Sequence, residues 1–317
     1  MARERDTTRA RLPIERSGTV AIVGRSNVGK STLLNAALAL PLAIVSDKPQ
    51  TTRARLLGIV RHAGAEIGLL DTPGLHAPRT RLGHAMNRSA RHAIAEADAI
   101  AFVVGLPGRR EDALRPLEAD LAILATVPQA IPTLLVLNKI DRVRPKARLL
   151  PLLAAWARVR DFAAIVPTSA LRASGVTRVL DEIARLLPEG GARHDEDALT
   201  DRPLRWLAAE YVREPILAVT RQEVPHAVAV TVERFEEPVG PSAVHVAATI
   251  HVERSGQKPI LIGEGGAMLE RIGSRARRRI EALVDRKVHL ELFVRVTEGW
   301  RDDPTLLGEL GLGEGGR

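Results

Sequence analysis

Residues 24–31 read GRSNVGKS, and they stand between Thr19-Val20-Ala21-Ile22-Val23, a short β-branched run, and Thr32-Leu33-Leu34-Asn35-Ala36-Ala37-Leu38, which carries apolar residues at helical spacing. The pattern G-x-x-x-x-G-K-[ST] in a strand, loop, helix context is a phosphate-binding loop. Gly24 and Gly29 let the backbone curl until its amides face phosphate oxygens, and the following helix N-terminus adds positive potential. Lys30 supplies a mobile point charge for the outer phosphates, and Ser31 offers a hydroxyl to magnesium.

Four further stretches downstream keep this loop company. Lys48-Pro49-Gln50-Thr51-Thr52-Arg53 is a polar loop with a threonine placed to reach magnesium when a γ-phosphate is present; the residues alone leave Thr51 and Thr52 both open. Ile67-Gly68-Leu69-Leu70-Asp71-Thr72-Pro73-Gly74 ends a strand on Asp71, a carboxylate able to hold magnesium through water, with Gly74 presenting its amide to the γ-phosphate. Leu75 follows, where a water-orienting glutamine often stands, so intrinsic hydrolysis is expected to be slow or assisted from elsewhere. After the strand at 131–137, Asn138-Lys139-Ile140-Asp141 is a base reader: a carboxylate accepts from the two adjacent donors that guanine has and adenine lacks. Ser169-Ala170 ends a later strand as the pair that buttresses the base through backbone amides. The order predicts a doubly wound, mostly parallel sheet with helices near 82–95, 113–125, 147–160 and 176–187. Trp156 and Phe162 are expected in its core or at its boundary, with no ligand role.

The chain has 317 residues, enough for this domain and a smaller one. It has no cysteine, which excludes disulfides and thiolate metal sites and fits a reducing compartment. No uninterrupted apolar stretch and no apolar leader region predict a cytoplasmic protein. Of 46 basic residues only six are lysine, and Lys30, Lys48, Lys139 and Lys258 all fall in or beside the motifs, where a compact ammonium does what a guanidinium fork cannot. The net charge of +8 is concentrated in residues 17–187. Bulk charge by itself says nothing about RNA.

Residues 1–16 read as a flexible tail, 17–187 as the nucleotide domain and 188–200 as a linker in which His194 is solvated; residues 201–317 form a second domain. There a helix and two strands precede a second helix, the loop Gly263-Glu264-Gly265-Gly266, a third helix and a final strand. This is the G-x-x-G arrangement of a KH module, whose glycines admit a nucleic-acid backbone between two helices. Lys258 precedes the loop; Arg271, Arg275, Arg277, Arg278 and Arg279 load the helix behind it, and Arg271, Arg275 and Arg278 share one face.

One phosphate-binding loop followed by this module, with KPQTTR, DTPGLH, NKID, PTSAL, EVPHAVAV, ERSGQKPILIGEGG and GWRDD, resembles the Era family of bacterial GTPases over about residues 17–312. The resemblance implies an α/β Ras-like GTPase domain joined to an α+β type II KH domain. It implies a magnesium-dependent switch that binds 16S ribosomal RNA near its 3′ end and assists maturation of the 30S subunit, with peripheral association to the inner membrane; a monomer is expected. By position, Gly29, Lys30, Ser31 and Thr32 hold phosphates, with Val28 in the same loop. Ser31, Thr52 and Asp71 hold magnesium, Thr52 being preferred over Thr51 by similarity to related GTPases. Asn27 matches a potassium ligand of some relatives. The RNA set is Lys258, Gly263, Glu264, Gly265, Gly266, Arg271, Arg275 and Arg278.

Three positions depart from the family. Ser26 replaces proline, a form more typical of EngB GTPases, which lack the KH module. Gly105 replaces an aspartate, with little consequence expected. Glu264 replaces the lysine of the glycine loop, exchanging attraction to RNA phosphate for repulsion. A different reading follows from Glu264, a nucleotide-gated adaptor whose KH-like domain binds protein or membrane. A small-molecule kinase is disfavoured by Asn138-Lys139-Ile140-Asp141.

Overall fold

A computed structural model describes residues 13–75, 78, 80–106 and 115–312. The first unit runs β1 (Arg16–Val23), α1 (Lys30–Leu38), β2 (Leu56–His62), β3 (Ala65–Asp71), α2 (Arg81–Ala95), β4 (Ala99–Gly105), α3 (Glu118–Leu124), β5 (Thr133–Asn138), α4 (Leu149–Ala157), β6 (Ala164–Pro167) and α5 (Val176–Leu186). Its sheet has the order β2-β3-β1-β4-β5-β6, and only β2 runs antiparallel to its neighbour. The β2–β3 hairpin turns through Ala63 (φ 49°) and Gly64 (φ 74°), the two positive angles a two-residue turn needs to match strand twist.

Strand residues alternate between two cores. Val20, Ile22, Leu134 and Val136 face α1 and α5, whereas Ala21, Val23, Leu135 and Leu137 face α3 and α4. Helix α5 shows why it is a helix here: Val176, Val179, Leu180, Ile183 and Ala184 fall on one stripe, and all are buried. Trp156 is fully buried between Phe102 and Phe162, as expected. The expected helix at 113–125 begins at Glu118, its first positions lying partly outside the described residues.

The second unit contains α6 (Leu204–Val219), β7 (Val228–Glu236), β8 (Val244–Val252), α7 (Gln257–Ile262), α8 (Ala267–Val284), β9 (Val288–Val296) and α9 (Pro304–Glu309). Strand β8 is central, antiparallel to β7 and parallel to β9. One apolar cluster runs without interruption from the large sheet through Leu34, Leu42 and Ile44 into Leu207, Tyr211 and Ile216 of α6 and Ile272, Ala276 and Ile280 of α8.

Two expectations about connecting segments change. The predicted linker is docked, not free: Arg193 N–H donates to Glu66 Oε1 at 2.8 Å, His194 Nδ1 lies 3.0 Å from the same oxygen, and Leu199 accepts from Ile59 N–H of the edge strand. His194 is therefore a partner of Glu66, with 34% of its side chain exposed. Burial raises the Glu66 carboxyl, but hydrogen bonds from His194, Arg193 and Arg61 outweigh it and leave the group below its ordinary value. At the other end, Glu15 N–H donates to Gly64 and Arg16 opens β1, so the last residues of the expected tail belong to the fold; residues 1–12 lie outside those described.

Candidate functional site

The carboxyl ends of β1, β3 and β5 converge on a cleft of about 410 Å³. Asn27, Gly29, Lys30, Ser31, Thr32, Thr52, Gly74, Asn138, Lys139 and Asp141 line it, while Gly24, Val28, Asp71, Ser169 and Ala170 stand behind the lining. Gly29 is needed for space and for angle: its φ is 103°, and a Cβ there would sit 2.3 Å from the Asn138 side chain. Lys30 is buried, and its Nζ donates to the carbonyls of Gly24 and Arg25 at 3.0 Å each. Burial pushes this ammonium down to about 8, with Asp71 opposing the fall.

Ser31, Thr52 and Asp71 form one cluster. Ser31 Oγ donates to Asp71 Oδ2 at 2.6 Å, Thr52 Oγ1 donates to the same oxygen at 3.0 Å, and the two hydroxyls are 2.9 Å apart. Asp71 Oδ1 is buried with no hydrogen-bond partner among the described residues. Burial raises the Asp71 carboxyl, with Lys30 and the two hydroxyls pulling the other way. Two hydroxyls and a carboxylate with an unused buried oxygen suit a hard divalent cation. Thr51 is turned elsewhere, its hydroxyl on the Lys48 carbonyl at 2.7 Å.

At the base end, Ser169 Oγ donates to Asp141 Oδ1 at 2.6 Å, which holds the Asp141 carboxyl below its usual range and fixes its orientation. Asn138 is a brace: its Nδ2 donates to Val28 O and its Oδ1 accepts from Ala170 N–H, both at 2.9 Å. The Ser169 amide is likewise engaged, by Ser174 O. Both amides of the Ser169-Ala170 pair thus close hydrogen bonds within the protein. Lys139 Nζ donates to the Asn27 carbonyl across the cleft.

The departures acquire physical content. A Cβ at Gly74 would approach Ser26 Oγ to 2.6 Å, so the loop after β3 lies directly on the small side chain at 26. Gly105 matters more than expected: a Cβ there would meet Val28 Cα at 2.9 Å, so the phosphate-binding loop rests on the missing side chain. Leu75 packs against the apolar cluster of α3 and α4. Sequence reasoning passed over Arg25, whose guanidinium grips the fully buried Asp120 of α3 at 2.6 and 3.1 Å, and Leu171, 79% exposed on the cleft rim. A buried acid in the first turn of α3 was the available signal for the first; nothing local marks the second.

In the second unit the glycine loop joins α7 to α8 with Glu264 exposed on it and Lys258 exposed on α7. A groove of about 420 Å³ lies between α8 and β9, lined by Gly266, Leu269, Glu270, Gly273, Ser274 and Arg277 and by Val288, His289, Leu290 and Leu292. Arg271, Arg275 and Arg278 do not line it; they occupy a neighbouring exposed face. Arg279 turns to the first unit, donating to Pro41 O at 2.7 Å, pairing with Glu214 at 2.9 Å and lying 4.5 Å over the Tyr211 ring. Trp300 is fully buried, its indole N–H on Ala227 O, packed with Ala54, Leu82 and Met86 of the first unit and Leu306 and Leu307 of α9.

Comparison with known proteins bears on both units. The family model described as a 50S ribosome-binding GTPase matches residues 19–139, and that of the KH domain matches 223–301. The GTPase Era of Xanthomonas oryzae pv. oryzae is 44% identical over 297 residues, covering 93% of this chain and 97% of that protein. The chain belongs to the Era family of GTPases. Era of Xanthomonas campestris pv. campestris is 43% identical over the same length. A crystal structure of Era in complex with MgGDPNP and nucleotides 1506–1542 of 16S ribosomal RNA matches with a TM-score of 0.86 at 38% identity, over 94% of this chain and 99% of that one. A point variant of Aquifex aeolicus Era bound to GDP and aluminium fluoride matches equally well. The Era-family chain is therefore a GTPase with a Ras-like domain, a KH domain and a site suited to magnesium and GTP.

Proposed function

We propose that this Era-family GTPase binds 16S ribosomal RNA near its 3′ end and assists maturation of the 30S subunit, as a switch read through its nucleotide state. The observation that carries the reading is the joining, in one chain, of a guanine-selecting cleft to a KH groove, in a fold that matches Era captured with that RNA. We divide the chain into a tail (1–16), a GTPase domain (17–187), a docked connector (188–200) and an RNA domain (201–317).

In this reading Gly24 and Val28 shape the phosphate-binding loop, and Gly29, Lys30, Ser31 and Thr32 bind phosphates. Lys30 leaves the carbonyls of Gly24 and Arg25 for the β- and γ-oxygens, where its charge stabilises the transition state. Ser31, Thr52 and Asp71 would hold magnesium. When bound, the ion neutralises charge that develops across the β- and γ-phosphates. Gly74 offers its amide to the γ-phosphate, and Asp141, oriented by Ser169, accepts from guanine. Asn138 ties the phosphate loop to the base loop, so both ends of the nucleotide are fixed together. Leu75 can orient no water, which favours slow turnover. Asn27 donates to Asp47 O at 2.6 Å through its amide nitrogen and keeps its oxygen for a potassium ion; equal turnover in sodium and potassium would remove this element.

The RNA backbone would pass Lys258 and the loop Gly263-Glu264-Gly265-Gly266 into the groove beside Arg277, with Arg271, Arg275 and Arg278 adding phosphate contacts at its margin. No helix among the described residues is long and apolar enough to cross a membrane, and we place the protein in the cytoplasm as a monomer with peripheral contact to the inner membrane.

The test is binding of the full chain to an RNA copying the 3′ end of 16S ribosomal RNA, with GDP and with a non-hydrolysable GTP analogue. Tighter binding with the analogue is expected. No binding in either state would favour a nucleotide-gated adaptor whose KH-like domain takes protein or membrane, a reading that the exposed Glu264 supports.

A further inference from the structure

Thr52 is carried by a loop that the second unit holds on both flanks. Before it, Arg213 of α6 donates through Nη2 to the Thr51 carbonyl at 2.6 Å, and its own fork is set by Glu210 at 2.8 and 2.6 Å. After it, Arg53 reaches out of the first unit: Nη1 donates to Val228 O at 2.6 Å, Nη2 to His226 O at 3.4 Å, and the guanidinium lies 5.4 Å over the Trp300 ring. Both guanidinium groups are buried, at 2% and 8% exposure.

A pure packing role does not account for this pair. Two arginines buried at one junction carry a desolvation cost that apolar side chains of similar volume would avoid. Arg53 Nε and Arg213 Nη1 are buried with no hydrogen-bond partner among the described residues. Burial, together with the neighbouring Arg213 charge, pushes Arg53 down to about 9. What the pair does achieve is geometric: the Thr51 carbonyl and the Arg53 side chain are both tied to the unit that bears the KH groove, and Thr52 lies between them with its hydroxyl on Ser31 and Asp71.

We infer that Arg213 and Arg53 are positioning residues for Thr52, through which the docked RNA domain sets the threonine hydroxyl at the γ-phosphate end of the nucleotide cleft. The inference rests on the role proposed for Thr52 above. A shift of α6 or of the start of β7 must move Thr52, and by linkage a change at Thr52 must alter how the RNA domain is held. Arginine suits the task because its planar fork fixes direction as well as distance, which a lysine does only in part.

The experiment uses the full chain with four substitutions: Arg213→Met, which keeps bulk and removes the donors; Arg213→Lys, which keeps charge and a donor; Arg53→Met; and Thr52→Ala. It measures kcat and KM for GTP, the magnesium concentration for half-maximal rate, and GDP affinity. GDP lacks the phosphate that Thr52 serves, so its affinity reports an intact fold without reporting the clamp. For both Met variants the expected result is a fall in kcat of about tenfold with a several-fold rise in the magnesium requirement, GDP affinity staying within about twofold; Arg213→Lys restores at least half of the loss. Unchanged kcat and magnesium requirement in both Met variants, with Thr52→Ala impaired, would overturn the inference alone. Loss of GDP affinity in parallel with kcat in both would also overturn it, since that pattern marks general damage. Thr52→Ala turning over at the parental rate would overturn both the inference and the role of Thr52 on which it stands.

Discussion

The nucleotide cleft and the KH groove are similar in size, about 410 and 420 Å³, yet they are built in opposite ways. In and behind the cleft the polar side chains of the motifs are held within the protein: Lys30, Ser31, Thr52, Asn138 and Ser169 each close hydrogen bonds of 3.0 Å or less. In the groove the lining is an exposed glutamate, an arginine, a serine, a histidine, three half-buried leucines and the buried Val288. A small, highly charged ligand demands preorganised donors, because every misplaced dipole is felt at short range. A long polyanion held by many phosphate contacts tolerates mobile cations.

The largest expected effect falls on the cleft. Lys30→Ala should weaken GDP binding by roughly a hundredfold, since a charge-assisted contact is lost from a buried site. Titration with a fluorescent GDP analogue measures it, and a loss below threefold would break the contrast between the two regions. Next, Arg277→Glu should weaken RNA binding about tenfold and Arg278→Glu about threefold, because only Arg277 lines the groove. Equal losses would mean that the RNA runs over the outer helix face instead. Glu264→Lys should tighten RNA binding about threefold at low salt, with the gain fading as salt rises; weakening would remove the repulsion argument.

The smallest effect concerns the connector. The hydrogen-bonded Glu66 carboxyl is held below its ordinary value, so its contribution is complete above the ordinary carboxylate range and is lost as pH falls through the lowered value. The protection of the Arg193 amide against hydrogen exchange, taken relative to the intrinsic rate at each pH, should therefore fall under acid conditions. Glu66→Gln should speed cleavage after Arg193 at neutral pH by about twofold, and unchanged cleavage would return the connector to the free linker that its composition suggests.

That same contrast governs what could be read from residues alone. The cleft was legible because its determinants are local: a glycine that must leave space, a lysine in a curled loop, an aspartate at a strand end. Even there, the Asn138 brace and the Arg25–Asp120 pair needed the tertiary structure, since their partners lie 110 and 95 residues away. The KH helices and glycine loop were legible as a pattern, but which flank of α8 borders the groove was not. Helical spacing identifies Ile272, Ala276 and Ile280 as the buried stripe and leaves the flanks on either side equivalent. Only the position of β9 chooses the flank of Gly273 and Arg277. His194, in a stretch of acids, glycines and a proline, had no local feature to announce Glu66, a buried strand residue 128 positions earlier.

The unbroken apolar cluster that threads from the large sheet through α6 into α8 has a thermodynamic consequence. A chain of two domains joined by a tether melts in two steps, each with its own enthalpy. Here the aliphatic contacts that would be exposed by melting one unit are the same contacts that hold the other, so heating should give a single calorimetric transition. A nucleotide bound at one end should then raise the melting temperature of the entire molecule, and RNA bound at the other should protect the nucleotide cleft from unfolding.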